Sequence, residues 1–289
     1  MSPAPQTVSD HIFSETVSSQ DRGLLYGDGL FETIRFRSGQ LLLWEPHRQR
    51  LLSGCDALGI DLDHACLDSL IPEIIASAPS TDCILKVIVT RGTGGRGYSP
   101  PSPNRPTVLF QWHALASDII NNTRIGIDVI FCRHPLSVNP VTAGIKHLNR
   151  LDQVLASREL SACALHTPTV REGLMLDMDS NLIEGTRSNV FVVIQNQLCT
   201  PELTRCGVDG VMRNRLIELF ASQGVEVVVR AIRHRELTQG SEAFLCNSVF
   251  GVWPILRLID VHAGEEPHEF RATTMARMAQ QWLRDDFPL

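Results

Sequence analysis

The sequence predicts a mixed α+β chain, of the α/β class, organised in two blocks. Three observations lead there. The 289 residues are enough for one large or two medium domains with a substantial core. Runs rich in valine, isoleucine and phenylalanine alternate with stretches whose apolar residues recur at helical spacing. Between the blocks, SDIINNTRIGIDVIF (117–131) reads as a linker running into a new strand. The expected organisation is a small N-terminal α+β domain over 1–115, a linker and entry strand over 116–134, and a larger C-terminal domain over 135–289.

In the first block, LFETIRF and LLLW read as two strands joined by a Ser38-Gly39 turn. Pro46 opens a helix that reaches Leu58, with Leu51, Leu52, Cys55 and Leu58 on one face. A second helix covers 63–77 through Leu67, Leu70, Ile71, Ile74 and Ile75. CILKVIVT and PTVLFQWHAL are strands on either side of the loop RGTGGRGYSPPSPN. The second block carries a helix over 149–163, then strands EGLMLD and NLIEG around Asp179-Ser180, then the strand SNVFVVI. A helix start follows in GVDGVMRNRLIELF, then strands VEVVVR and EAFLCNS, and a terminal helix from Glu269.

Composition excludes several function classes. Lysine and arginine number 26 against 32 acidic residues, a net charge of −6. A nucleic-acid partner would need a basic face, so none is expected. No run of 18 apolar residues occurs, so no membrane span is expected. The start MSPAPQTVSDHIFSE lacks the basic and apolar regions of a secretory signal. None of the eight cysteines forms C-x-x-C, which points to reduced, mostly buried thiols in the cytoplasm. The ten histidines show neither HxH nor HExxH spacing, so no metal site is expected.

Four features can carry chemistry. GTGGRG follows a strand as a dinucleotide fingerprint should, but the prolines of YSPPSP forbid the helix such a site needs. The loop is either a flexible hairpin connection or a mobile segment whose Arg91 and Arg96 hold a carboxylate. In CGVDGVMRN, Gly207 and Gly210 bracket a helix start that Asp209 can cap. Free N–H groups there suit a phosphate, although an ordinary capped helix fits the same residues. Glu184 ends an apolar strand. It is either a surface acid or salt-bridge partner of Arg187, or a buried carboxylate facing a protonated nitrogen.

The fourth feature is a lysine. Of the 26 cationic residues only Lys86 and Lys146 are lysines. Positive surface charge is supplied by arginine, so a lysine kept after Gly144-Ile145 points to a need for an amine that can lose its proton. A desolvated lysine can form a Schiff base; arginine cannot. Lys86, inside CILKVIVT, reads more simply as the polar face of a half-buried strand.

The motifs DRGLLYGDGLFETIR, HRQRL, RGTGGRGYSP, GIKHLNRLDQVLA, EGTRSNVF, GVDGVMR and CNSVFGVWPI resemble, in this order, those of fold-type IV pyridoxal-phosphate enzymes. That group includes branched-chain and D-amino-acid aminotransferases and 4-amino-4-deoxychorismate lyase, and RGTGGRGYSP and GIKHLNRL resemble the lyase most. The resemblance implies a two-domain D-amino-acid aminotransferase-like fold with pyridoxal 5'-phosphate between the domains. It implies that Lys146 is the Schiff-base lysine and that Glu184 faces the pyridine nitrogen. Arg50 and the backbone at Val208 and Asp209 match phosphate contacts, as do Asn247 and Ser248; Asn189 joins the cofactor set. Arg91, Arg96 and Tyr98 match a loop bordering the substrate pocket, and Thr33 a position that assists proton transfer.

The implied reaction is elimination. Lys146 removes a proton from the carbon bearing the substrate amine, pyruvate departs, and aminodeoxychorismate becomes 4-aminobenzoate, a folate precursor. The resemblance also implies a homodimer. An aminotransferase of the same fold is the first alternative; branched-chain members commonly carry a tyrosine five residues after the lysine, where this chain has Leu151. A non-catalytic metabolite binder is the second, and it would need neither Lys146 nor Glu184.

Overall fold

The structure, a computed structural model, describes residues 16–259 and 266–288. The segment 1–15, read above as lacking a secretory signal, lies outside the described residues. The chain divides into two compact units, Met1–Leu115 with Ile145–Asn149, and Ala116–Gly144 with Arg150–Leu289.

The first unit contains α1 (Arg22–Tyr26), β1 (Gly29–Arg37), β2 (Gln40–Leu41), α2 (Trp44–Leu58), α3 (His64–Ala76), β3 (Asp82–Thr90) and β4 (Thr107–Ala114). The strands form one antiparallel sheet in the order β2-β1-β3-β4. Strand periodicity sorts its residues onto two faces. Cys83, Leu85, Val87 and Val89 of β3 pack with Leu51, Leu52, Leu67 and Ile74 of the two helices in one core. Lys86 is half-buried on the other face, opposite Thr33 of β1.

The expected strand LLLW is cut short after Leu41. Leu42 is buried, Leu43 turns through φ 56°, and α2 begins at Trp44. The apolar run is therefore buried by a turn rather than by a ladder. Pro46 falls in the first helical turn, where the missing N–H has no intrahelical partner to lose.

The second unit contains α4 (Ile119–Ile125), β5 (Ile127–Phe131), α5 (Leu151–Ala164), β6 (Val170–Leu176), β7 (Asn181–Gly185), β8 (Asn189–Ile194) and β9 (Gln197–Pro201). After these come α6 (Val211–Ser222), β10 (Val227–Arg230), β11 (Ile232–Arg233), α7 (His234–Leu237), β12 (Glu242–Asn247), β13 (Gly251–Ile259), β14 (His268–Glu269) and α8 (Thr274–Trp282). Among the described residues its sheet has ten strands, in the order β10-β9-β8-β12-β13-β5-β6-β7-β11, with β14 against β13. Phe191 and Phe244 stack at 5.0 Å with 8° between their planes, and Phe220 meets both Phe244 and Trp282.

Several elements depart from the sequence expectation. The linker holds α4, which was not expected, and the entry strand that follows it is β5, parallel to both β13 and β6 inside the sheet. Its Asp128 is buried and is neutralised by Arg257, at 3.0 and 2.5 Å. β9 was not anticipated; it follows a tight reversal at Gln195 and Asn196, both with positive φ, without the Asn-Gly pair that marks such turns. β13 was hidden by Pro254, a residue that demotes a strand reading. The terminal helix starts at Thr274 rather than Glu269, which lies in β14. The buried Glu242 carboxylate accepts the N–H groups of Met275 and Ala276, at 3.0 and 2.7 Å, and so fixes that start.

Truncating the ring at the centre of the second unit tests this packing. Phe244→Ala is expected to lower stability by about 3–5 kcal/mol, read from the denaturant midpoint of the transition that unfolds this unit.

Candidate active site

In the first unit the segment Ile145–Asn149 lies along β1, on the side that the short β2 leaves open. Lys146 O accepts the N–H of Phe31 at 3.0 Å, and Leu148 N–H donates to Gly29 O at 2.9 Å. Asn149 Nδ2 donates to Gly27 O at 3.0 Å. This pairing sets the Lys146 Nζ 4.4 Å from the centroid of the Phe31 ring. Lys86 Nζ stands 5.2 Å from the same centroid, so one aromatic ring is shared by both lysines. Thr33, two residues beyond Phe31 on β1, is the cross-strand partner of Lys86.

The opposite face of β1 carries a buried acid that sequence reasoning missed. Glu32 is 1% exposed. Its carboxylate accepts Arg50 Nε at 2.8 Å and Nη2 at 2.5 Å, and faces His47 Nδ1 at 2.6 Å. Burial pushes the Glu32 carboxyl up, but the charges and hydrogen bonds of Arg50 and His47 outweigh it and bring it to about 2. His47 is fully buried, and burial outweighs the pull of Glu32 and holds its imidazole below 6.5. A neutral His47 donates Nδ1–H to Glu32, which leaves Nε2 a buried acceptor with no partner among the described residues. The signal was legible only in hindsight: Glu32 alternates with apolar residues on the core face of its strand, and His47 and Arg50 are one helical turn apart.

The three loop residues have different fates. Arg91 is buried and fully engaged: Nε and Nη2 donate to Asp28 at 2.8 and 2.9 Å, Nη1 to Gly59 O at 2.5 Å, and Nη2 also to Leu58 O at 2.7 Å. Arg96 and Tyr98 are exposed, Tyr98 to 85%.

In the second unit, Glu184 closes β7 and is 4% exposed. Its Oε2 accepts Val208 N–H at 2.8 Å and its Oε1 accepts Gln153 Nε2 at 3.2 Å. The surface reading is thereby overturned, and so is the bridge to Arg187, whose guanidinium stands 3.5 Å from Glu172 instead. Asn189 Nδ2 donates to Val208 O at 2.9 Å, so Glu184, Asn189 and Val208 form one hydrogen-bonded group. A Cβ on Gly210 would lie 1.9 Å from Asn189 Oδ1, which is why a glycine opens α6.

Asp209 is not the cap of α6. The N-cap is Gly210, with no side chain capping it; Asp209 instead accepts Arg213 Nη1 at 3.1 Å and Asn214 Nδ2 at 3.0 Å. The N–H of Val208 is engaged by Glu184, and that of Asp209 donates to Gly144 O at 3.0 Å. The helical amides that lack an intrahelical partner begin at Val211, two residues beyond the Asp209 that the sequence motif indicated. Asn247 ties the turn 248–250 to the segment after Glu184: its Oδ1 accepts Val249 and Phe250 N–H, and its Nδ2 donates to Arg187 O at 3.0 Å. Ser248 is buried within that turn.

The depressed Glu32 carboxyl makes a pH prediction. A carboxyl lower in the folded than in the unfolded chain contributes stability that is complete above the unfolded value, about 4.5, and is lost as pH falls towards about 2. Denaturant midpoints taken from pH 6 downwards are expected to fall across that window. Glu32→Gln removes this part of the slope and lowers stability at pH 7.

Comparison with known proteins adds a family to this geometry. The model of the amino-transferase class IV family matches residues 29–258. An aminodeoxychorismate lyase of Vibrio harveyi is 32% identical over 237 residues, 81% of this chain and 84% of that protein. A putative branched-chain-amino-acid aminotransferase of Methanocaldococcus jannaschii is 29% identical over 245 residues, 84% of this chain and 82% of that protein. The crystal structure of 4-amino-4-deoxychorismate lyase from Pseudomonas aeruginosa matches with a TM-score of 0.87 and 39% identity, over 96% of this chain and 97% of that one. The chain, with its lysine on the Phe31 ring and its buried Glu184, belongs to the amino-transferase class IV family.

Proposed function

We propose that this chain is an aminodeoxychorismate lyase, which converts 4-amino-4-deoxychorismate to 4-aminobenzoate and pyruvate with pyridoxal 5'-phosphate held on Lys146. The observation that carries the reading is the 39% identity with the Pseudomonas lyase across 96% of this chain. Leu151, where branched-chain aminotransferases commonly have tyrosine, supports it.

The residues suit the cofactor. The uncapped first turn of α6 offers N–H donors at the positive end of a helix, which suits a phosphate. We assign the phosphate to the amides from Val211 onward, together with Arg50, Asn247 and Ser248. The Val208 and Asp209 amides, already engaged, shape this turn from below. Arg50 is the arginine best prepared for the task, because Glu32 fixes its guanidinium from one side.

Bound pyridoxal phosphate supplies a protonated ring that withdraws the electron pair left when a neighbouring carbon loses its proton. The protein's part follows from its own side chains. Glu184 would face the ring nitrogen and keep it protonated; Val208 N–H and Gln153 hold its carboxylate in position, and Asn189 buttresses Val208. Lys146 carries the covalent link through Nζ. As a free amine, the same Nζ would take the proton from the substrate carbon that bears the amine. The ring carbon–oxygen bond then breaks, the ether oxygen leaves with its electron pair as the enol of pyruvate, and the substrate ring becomes aromatic. Thr33, on the sheet face that carries Phe31 and Lys86, assists the proton transfer that completes pyruvate. Arg96 and Tyr98 meet the substrate, and Arg91, bound to Asp28, Leu58 O and Gly59 O, anchors the base of the loop instead.

The reading extends to a cytoplasmic homodimer. Eight free cysteines suit a reducing compartment. Leu24, Leu25 and Tyr26 of α1 are exposed, an apolar run that suits a partner surface.

The test follows both products of 4-amino-4-deoxychorismate together. Equal amounts of pyruvate and 4-aminobenzoate are expected from the wild-type protein, and Lys146→Ala is expected to lower kcat by about 10²–10⁴-fold. Amine transfer to 2-oxoglutarate without pyruvate would move the assignment to an aminotransferase.

A further inference from the structure

The loop after β3 carries Arg96 and Tyr98, yet it is poorly built to hold a shape. Gly92, Gly94, Gly95 and Gly97 all have positive φ, and residues 93–100 are exposed. Such a stretch has many backbone conformations and loses much entropy when ordered. Its base is tied by backbone bonds from Arg22 N–H to Gly92 O and by the Asp21–Thr93 bridge, and one side chain gathers the carbonyls of its tip. Arg22, at the start of α1, is 4% exposed. Its Nη1 donates to Gly97 O at 3.1 Å and Ser99 O at 3.4 Å, and its Nη2 to Tyr98 O at 3.0 Å. Three consecutive carbonyls thus converge on one guanidinium.

Arg22 is itself fixed. Its Nε donates to Asp28 Oδ2 at 2.8 Å, the oxygen that also receives Arg91 Nε. Its guanidinium lies 4.9 Å from the Tyr26 ring centroid, and Tyr26 packs at 5.5 Å against Tyr98. Burial pushes the Asp28 carboxyl up, but hydrogen bonds and charges from Arg91 and Arg22 outweigh it and leave it below the ordinary carboxylate value. Asp28 therefore stays ionised at neutral pH and joins the two arginines. Arg91 ties the base of the loop to the end of α2 through Leu58 O and Gly59 O, while Arg22 holds its tip. With the tip's carbonyls turned towards Arg22, the Arg96 and Tyr98 side chains are left in solvent.

We propose that Arg22 is a positioning residue for substrate: it clamps the carbonyls of Gly97, Tyr98 and Ser99 so that Arg96 and Tyr98 are presented to the substrate in one arrangement. The proposal rests on the lyase reading, in which those two side chains meet 4-amino-4-deoxychorismate. Lysine cannot replace the clamp, because an ammonium is a compact point charge and not a planar fork that reaches several carbonyls and a carboxylate at once. The role is one of order before binding, so its loss is expected in substrate affinity more than in the proton transfer at Lys146.

The experiment compares wild-type holoenzyme with Arg22→Lys, Arg96→Gln and the double variant. Arg22→Lys is expected to raise KM for 4-amino-4-deoxychorismate about tenfold with kcat within about threefold. Tryptic cleavage after Arg96 is expected to quicken about tenfold, while the Kd for pyridoxal phosphate stays unchanged. The double variant is expected to raise KM by less than the product of the two single effects, because the clamp acts partly through Arg96, already removed, and partly through Tyr98. Gly97→Val is a second route, for it drives the clamped backbone away from its φ of 60° without touching Arg22; the same rise in KM is expected. An unchanged KM in Arg22→Lys despite faster cleavage, or independent additive effects in the double variant, overturns the clamp and leaves the lyase reading standing. Wild-type protein that releases no pyruvate from this substrate overturns the lyase reading and the proposal with it.

Discussion

The first unit depends on keeping one carboxylate charged inside an apolar core. Glu32 projects from the face of β1 that packs on the helices, among Ile34, Leu85 and Val87. A lone ionised group there would be prohibitively costly. Both partners that remove the cost, His47 and Arg50, come from α2. The acid therefore fixes how the helix sits on the strand, and the fixed helix in turn fixes the direction of Arg50. On its reverse side the same strand carries Phe31 and Thr33, so one β-strand couples the core electrostatics to the placement of Lys146.

The second unit solves a similar problem with backbone. Glu184 is held by an amide of the turn before α6, and Gly210 permits Asn189 to approach that turn closely. Asn247 then links the segment after Glu184 to the turn beyond β12. Carboxylate, helix start and second turn are thus mutually braced by hydrogen bonds within the protein. A buried Glu172 takes part: it accepts the N–H groups of Gly173 and Thr186 and the hydroxyls of Thr186 and Ser188, which holds the reversal between Glu184 and Asn189.

What was legible in the sequence divides along physical lines. The period of apolar residues revealed α2, α3, α5, α6 and most strands, because burial writes that period directly. It failed where another constraint prevailed. Leu42 and Leu43 look like strand but turn into a helix; Pro254 looks like a strand breaker but sits within β13. Lys146 was visible because lysine is rare here, and Glu184 because an acid ended an apolar strand. Glu32, His47 and Arg22 were not, since their meaning lies in partners 15 to 77 residues away. Asp209 misled for the opposite reason: it has the chemistry of a cap, but its carboxylate turns to Arg213 and Asn214.

The shared Phe31 ring has a chemical consequence of its own. Apart from the terminal amino group, the chain has just two primary amines, Lys86 and Lys146, and both stand over that one ring. The other 24 cationic residues are guanidinium groups, which acylating and aldehyde reagents largely ignore at neutral pH. The protein is thus chemically orthogonal over nearly all of its surface. Beyond the terminal amine, an amine-directed label would report on the neighbourhood of a single phenylalanine, and competition between the two lysines for it would reveal which is the more reactive as a free amine.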